Sequence, residues 1–275
     1  MFPQVTAESK IDDLQSNPLY DLFELIGEDE NPLMDDCKML MPGDINLTLN
    51  TNCKLRVLHL NIHSLLSKLN ELKSLLTILS NSNCEIDIIL LCETFLNDNT
   101  VAACNIPHYT LIESHRTNLS RGGVGIYVNN KIRYKERYDL SIFKEGYFES
   151  CFVEVELNSR KLVVGEIYRV PNTNEKDFIN DYESILEKVN EEKSDILIGT
   201  DQNLDLLKYK SHTNTAQFMN LNLSSGLLPM ITKPTRITRE TATLIDNFYL
   251  SAKHACKSKS AVLVSDISDH FPCIL

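Results

Sequence analysis

A chain of 275 residues, 43% of them hydrophobic, is long enough to bury one large core, which excludes both a stapled mini-protein and a wholly disordered chain. No apolar run approaches the length needed to span a bilayer, and the N-terminus MFPQVTAESK lacks the basic-then-apolar order of a secretory signal, so a soluble intracellular protein without a membrane partner is expected. The formal net charge of −11 argues against a nucleic-acid partner only until its distribution is read. Residues 1–52 hold 11 acidic residues against two lysines, which leaves residues 53–275 close to neutral at −2.

The first 52 residues are rich in Asp, Glu, Asn and Pro and carry only brief apolar clusters such as LYDLFELIG at 19–27. This composition predicts a mostly disordered acidic segment with one short helix at most, able to dock on a protein partner and dispensable for the fold. From Leu55 the pattern changes to short apolar runs. RVLHLN at 56–61 reads as a buried strand, and leucines at 65, 69, 72, 76 and 79 mark one face of a helix. IDIILLCE at 86–93 reads as a second buried strand ending in an acid. RGGVGIYV leads into a third, and the basic residues around it, Arg116, Arg121, Lys131, Arg133, Lys135 and Arg137, fall in and around a predicted hairpin. CFVEVEL at 151–157 alternates like an antiparallel strand with one face exposed, and LVVGEIY is its expected partner. A helix is expected over 175–192, a central strand at DILIGT (195–200) and a helix over 213–224. Closing strands follow at TLIDNFYLS, AVLVSD and HFPCIL. Strand pairs joined by loops, with helices between, fit two β-sheets covered by helices better than a doubly wound parallel sheet.

Polar residues terminate these strands repeatedly: Asn61 after VLHL, Glu93 after IILLC, Tyr168 after VVGEI, Asp201 and Asn203 after ILIG, Asp246 within TLIDNF, and Asp269 and His270 before FPCIL. Singly, each has a structural explanation as a turn residue, a helix cap or a satisfied histidine. Together they would form one polar floor if the sheets bring those ends to a common edge, and that set has what phosphodiester hydrolysis needs. Magnesium prefers oxygen ligands and takes only one or two carboxylates, so Glu93 with Asn61 or Asp269 would suffice. Asp201 could orient and deprotonate a water, while His270, Asn203 and Tyr168 could stabilise the charge gathered in the transition state. Asp246 is the candidate carboxylate behind the imidazole.

In these residues the sequence resembles the endonuclease/exonuclease/phosphatase superfamily of DNase I-like enzymes, and most closely the endonuclease domains of LINE-type retrotransposons. The strings LHLNIHSLLSKLNELKSLL, IDIILLCETFL, RGGVGIYV, GEIYRVPN, ILIGTDQNLDLL, TKPTRITRETATLIDNFYLS and SDISDHFPCIL carry the resemblance, in order, over nearly all of 55–275. It implies a four-layer α/β sandwich over residues 53–275, with two mostly antiparallel β-sheets packed face to face and helices outside. It also implies Glu93, Asn61 and Asp269 at a magnesium site that manganese could also fill. Asp201 would act on the water, Asn203 and Tyr168 on the scissile phosphate, and His270 backed by Asp246 on the phosphate or a proton. The implied activity is nicking of one DNA strand to leave a 3′-hydroxyl, a target-primed reverse transcription endonuclease without the polymerase, acting in the nucleus on chromosomal DNA.

The sequence departs from the family pattern in two places. His63 stands where many members carry an acid two residues after the first Asn, which favours one-metal chemistry, and the usual GDFN reads Gly199-Thr200-Asp201-Gln202-Asn203. Lys233, Arg236 and Arg239 precede LIDN and, with Arg121, are the expected grips on DNA phosphates. The competing expectations are another phosphoesterase of the same fold (an abasic-site endonuclease, an inositol phosphatase or a deadenylase) and a silent remnant that only binds nucleic acid. Eight scattered cysteines without a CxxC pair are expected to be reduced and mostly buried.

Overall fold

The computed structural model describes residues 37–47, 54–157 and 160–275. In chain order it contains β1 (Lys38–Leu40), β2 (Val57–Asn61), α1 (Leu65–Asn81), β3 (Ile88–Cys92), β4 (Tyr109–Ser114), β5 (Val124–Asn129), β6 (Arg133–Glu136), β7 (Phe143–Lys144), β8 (Phe148–Leu157) and β9 (Arg160–Arg169). Then come α2 (Glu175–Glu191), β10 (Asp195–Asp201), α3 (Thr213–Ser224), β11 (Leu227–Pro229), β12 (Arg236–Ile237), β13 (Ala242–Thr243), β14 (Asp246–Ser251), the short α4 (Ala252–Ala255), β15 (Ala261–Leu263) and β16 (Cys273–Ile274).

Two seven-stranded sheets result. One has the order β1-β15-β16-β2-β3-β5-β4, the other β11-β14-β10-β9-β8-β6 with β7 also on β8, and β12–β13 form a separate ribbon. Only β1–β15, β2–β3 and β9–β10 pair in parallel, so both sheets are mostly antiparallel. Side-chain alternation sorts each strand between two cores. On β2, Val57 faces the other sheet, while Leu58 and Leu60 join Leu65, Leu69, Leu72, Leu75 and Leu79 of α1. The inner core joins Ile88, Leu90, Val124 and Ile126 of the first sheet to Val153, Val164, Leu197 and Phe248 of the second. The outer face of the second sheet is covered by Phe178, Tyr182, Ile185 and Leu186 of α2 and by Phe218 of α3. Helix, sheet, sheet, helix is the expected sandwich. Helix α2 begins where Asn174 caps it, accepting from the backbone N–H of Lys176 at 3.0 Å, with Glu175 and Asp177 in the first turn.

One expectation is narrowed and another is corrected. Residues 37–47 lie in the segment expected to be mostly disordered, yet they are folded. β1 extends the first sheet alongside β15, the Val264 N–H donates to the Leu40 carbonyl at 2.8 Å, and Cys37 and Ile45 are buried. Their apolar side chains complete the edge and the outer core of that sheet, a gain the surrounding acids mask in composition. The rest of residues 1–52 lies outside the described residues, apart from the backbone of 46–47. The predicted basic hairpin is instead a crossover: β5 belongs to the first sheet and β6 to the second. Arg133 on β6 lies opposite Glu156 of β8, beside the β8–β9 turn and away from Tyr168. Arg137 is buried among Asp139, Glu154 and Glu192. β8 is also more buried than its alternation suggests, because both faces are covered.

Seven cysteines are described, all free, six buried and Cys256 exposed; Cys53 lies outside the described residues. Among the described residues no helix is long and apolar enough to cross a membrane.

Removing 37–53 is therefore expected to cost stability: a chain beginning at Lys54 should melt well below one beginning at Cys37. Ile45→Ala should by itself cost roughly 2–5 kcal/mol in denaturant titrations.

Candidate active site

The topology brings the polar strand ends together. β2 and β3 run parallel and finish level at Asn61 and Cys92, and β9 and β10 run parallel with Asp201 opposite Tyr168. Antiparallel β14 begins where β10 ends, so Asp246 lies opposite Asp201. The chain leaves these ends through backbone turned to positive φ at His63, Ser64, Glu93 and Asn203. Such conformations are uncommon for non-glycine residues and concentrate where surrounding structure enforces them.

Asn61 is the link between the sheets. Its Nδ2 donates to Glu93 Oε1 at 2.8 Å and to Asp201 Oδ2 at 2.9 Å. Asp201 Oδ1 accepts from the Asn203 N–H at 3.2 Å, and Asn203 Nδ2 is held by the Arg169 carbonyl at 2.8 Å. His270 Nδ1 meets both oxygens of Asp246, at 3.0 and 2.9 Å, which turns Nε2 of the ring to other work. Thr235 Oγ1 donates to Asp246 Oδ2 at 2.6 Å, and Ser268 Oγ ties the SDH segment to the Asn61 carbonyl at 2.6 Å. Tyr168 is buried, and its hydroxyl feels the Glu93 and Asp201 carboxylates.

Seven of the expected residues, Asn61, Glu93, Tyr168, Asp201, Asn203, Asp246 and His270, thus belong to one site. Asp269 and Arg236, expected in different roles, are paired with each other: Arg236 Nε and Nη2 both donate to Asp269 Oδ2, at 2.9 and 2.6 Å. Lys233 is half-buried and Arg239 exposed beside them, and exposed Arg121 sits on a loop bound to the Glu93 segment through the Gly122 carbonyl and the Phe95 N–H. The sequence reading missed Arg169, whose buried guanidinium donates to the carbonyls of Gln202, Thr173 and Asn203 and so fixes the loop after β10. It also missed Thr235, Ser268 and His59. The YRVP string contained Arg169, but nothing in the string shows which carbonyls it holds.

A family model matches residues 47–270. The chain belongs to the endonuclease/exonuclease/phosphatase family. Its members are phosphoesterases, nucleases and phosphatases that typically depend on a divalent metal. Solved structures agree in fold. The endonuclease domain of TRAS1, a telomere-specific non-LTR retrotransposon, is 14% identical with a TM-score of 0.60, covering 80% of this chain and 96% of that one. D. rerio TDP2 complexed with a single-strand DNA product is 15% identical with a TM-score of 0.58, covering 80% and 97%. The Bacteroides thetaiotaomicron mannosyl-6-phosphatase Bt3783 is 14% identical with a TM-score of 0.57, covering 80% and 98%. No curated protein sequence matches the chain.

The donor set fits a divalent cation of the kind the family uses. The Asn61 Nδ2 group draws a Glu93 oxygen and an Asp201 oxygen to one point, while Asn61 Oδ1 accepts from the His63 N–H at 3.2 Å, and ligand atoms of Asp201, Asp246 and His270 lie within 4.8 Å of one another. Because Asp246 and His270 are committed to each other, the oxygen-only group is the better cradle for a hard ion.

Electrostatics separate the two facing aspartates. Burial, and then the neighbouring Asp246 carboxylate, push Asp201 up to about 7. Burial works the same way on Asp246, but the charge and hydrogen bonds of His270 and His59 outweigh it and hold that carboxyl well below its usual range. Burial disfavours the His270 cation, yet Asp246, Asp201 and Asp269 raise it to about 9. Burial drives the Tyr168 phenol far above its usual range, and the Glu93 and Asp201 charges add to this, so it acts as a neutral donor.

The signs give a pH window for the metal-free protein. Raised folded values for Asp201 and His270 contribute stability on the acid side that is lost as pH rises through about 7 and then about 9, whereas the lowered value of Asp246 contributes stability that is lost in strong acid. Melting in EDTA should therefore be highest in mildly acidic buffer and fall from pH 6 to 9. Asp201→Asn should flatten the part of that fall near pH 7.

Proposed function

We propose that the protein is a magnesium-dependent phosphodiesterase that nicks DNA and leaves a 3′-hydroxyl, of retrotransposon origin. The observation that carries this reading is the joining, through Asn61, of the Glu93 and Asp201 carboxylates beside the Asp246–His270 pair. Glu93 would hold the ion, with Asn61 beside it fixing the Glu93 carboxylate through Nδ2, or ligating through its amide oxygen if the amide turns over on binding, and the ion when bound supplies Lewis-acid stabilisation of phosphate and leaving-group charge. Asp201 orients a water and takes its proton as the water oxygen attacks phosphorus. The P–O3′ bond breaks, the electron pair stays on O3′, and O3′ is protonated from solvent while Asp201 returns its proton to solvent, leaving a 3′-hydroxyl and a 5′-phosphate. The His270 cation, with its Nδ1 proton on Asp246, turns Nε2–H toward a non-bridging oxygen, with Tyr168 and Asn203 on the same rim. Raised Asp201 is suited to a base that must accept a proton near neutral pH.

The likeness to a retrotransposon endonuclease domain supports DNA as the substrate, and Lys233, Arg239 and Arg121 on loops around the floor supply cations for its backbone. Action on chromosomal DNA would place the protein in the nucleus, and manganese should replace magnesium. The mannosyl-6-phosphatase of the same fold, together with a domain that is not basic overall, favours a second reading as a phosphatase of small esters.

Supercoiled plasmid separates the two. Nicking with magnesium, none with EDTA, and losses of at least about 100-fold in Asp201→Ala and His270→Ala are expected. Release of phosphate from small sugar or inositol phosphates, with plasmid untouched, would replace the first reading by the second. For DNA affinity across a salt series, Lys233→Ala and Arg239→Ala should each weaken binding and reduce the logarithmic salt slope by about 1. An unchanged slope would remove that ribbon from the interface.

A further inference from the structure

Beneath the floor, between the sheets, lies a second polar pair that the chemistry above does not use. His59 is two residues before Asn61 on β2, and Glu166 is two residues before Tyr168 on β9, so alternation sends both side chains inward beneath the site. Both are fully buried. His59 Nδ1 is 3.1 Å from Glu166 Oε2, and His59 Nε2 is 3.4 Å from Asp246 Oδ1, the oxygen that also lies 3.0 Å from His270 Nδ1. Glu166, His59, Asp246 and His270 therefore form one continuous chain of contacts from the core to the reacting edge.

We propose that His59 and Glu166 are positioning residues for the Asp246–His270 pair, presenting a permanent N–H to Asp246 so that its carboxylate holds the imidazole of His270 in one orientation.

The two carboxylates flanking His59 leave it few choices. With Glu166 ionised, the ring must be a cation to donate to both neighbours. With Glu166 protonated, its O–H donates to Nδ1 and the neutral ring keeps its proton on Nε2. Either arrangement puts the same proton count on the pair and the same Nε2–H against Asp246. Asp246 Oδ2 already accepts from Thr235 at 2.6 Å, so a donor on Oδ1 fixes the plane of the carboxylate from a second side. Close packing around the contact keeps it in place. A Cβ added to Gly199 would come within 2.7 Å of Glu166 Oε2 and 3.2 Å of His59 Nδ1. The glycine before Thr200 and Asp201 is what leaves the pair its room. Stability alone does not ask for these residues, since well-packed apolar side chains generally replace buried ion pairs without loss. Their position behind the pair that faces the substrate gives them a use.

The kinetic consequence rests on the phosphoesterase reading, whereas the geometry does not, and the experiment keeps them apart. Imidazole nitrogen shifts of the full chain, assigned with a His59→Phe variant, should show a proton on Nε2 of His59 across the neutral range. The proton should persist in Glu166→Gln, whose amide can donate to Nδ1, and give way to mixed tautomers in Glu166→Val. In magnesium-dependent nicking below the melting temperature of every variant, Glu166→Val should lower kcat roughly 10- to 100-fold with KM little changed. Glu166→Gln should recover most of that loss. An unprotonated Nε2 in the wild type overturns the proposal, whether or not any phosphoester is cleaved. So would equal kcat in Glu166→Val and wild type, or equal losses in Glu166→Val and Glu166→Gln. The Cys92 thiol lies in the same cluster, with its ligand atom within 4.8 Å of the other two. Zinc found at one ion per chain and lost in both His59→Phe and Cys92→Ser would make the cluster a metal site and overturn the proposal as well.

Discussion

The site depends on a carboxylate with nowhere to go. Asp246 is the first residue of β14, buried between two sheets and facing Asp201 on the neighbouring strand. A charge there is tolerable only if donors converge on it from every side. They come from three separate stretches of chain: His270 before the last strand, Thr235 before the ribbon and His59 inside β2. Satisfying one oxygen pair draws those stretches into register. It also makes the second aspartate, Asp201, the one that resists ionisation and is therefore able to take a proton.

The same constraint explains why the polar residues share an edge. Parallel β2–β3 and β9–β10 finish at the same end of their sheets, and antiparallel β14 starts there. The backbone beyond these ends is held in unfavourable conformations at Glu93 and Asn203 by Arg169, Asn61 and their partners. The strain is local, and the two helix-covered outer cores that offset it are made mainly of ordinary leucine, isoleucine, phenylalanine and tyrosine packing. Binding chemistry and folding stability occupy different layers of the molecule.

Much of this was legible in the sequence because apolar runs broke off at chemically distinctive residues. Asn61, Glu93, Tyr168, Asp201 and His270 each follow or precede a recognisable strand, and helices stand at 65–81, 175–191 and 213–224 where they are expected. What stayed hidden shares a physical cause. β1, β4 and β6 are edge strands whose polar faces meet solvent, so alternation is weak, and the step from β5 to β6 between sheets looks locally like a hairpin. Arg137 reads as a surface cation until Asp139 and Glu192 are seen around it. Asp269 and Arg236, far apart in sequence, neutralise each other, which no string could show. His59 and Glu166 sit inside strands, where a polar residue passes for an exposed one unless both sheets are known to bury that face.

The span of the chain between partners has a further consequence. His59 and Asp246 are 187 residues apart, and Asn61 and Asp201 are 140 apart, so the contacts that tie the two sheets together at the site close very long loops. Such contacts form late, after local helices and neighbouring strands. During synthesis the imidazole of His270 emerges after Asp246, Thr235 and His59, and until it docks the Asp246 carboxylate lacks the donor that meets both of its oxygens. The buried carboxylate at the head of β14 is thereby left short of its main partner until almost all of residues 47–270 have left the ribosome.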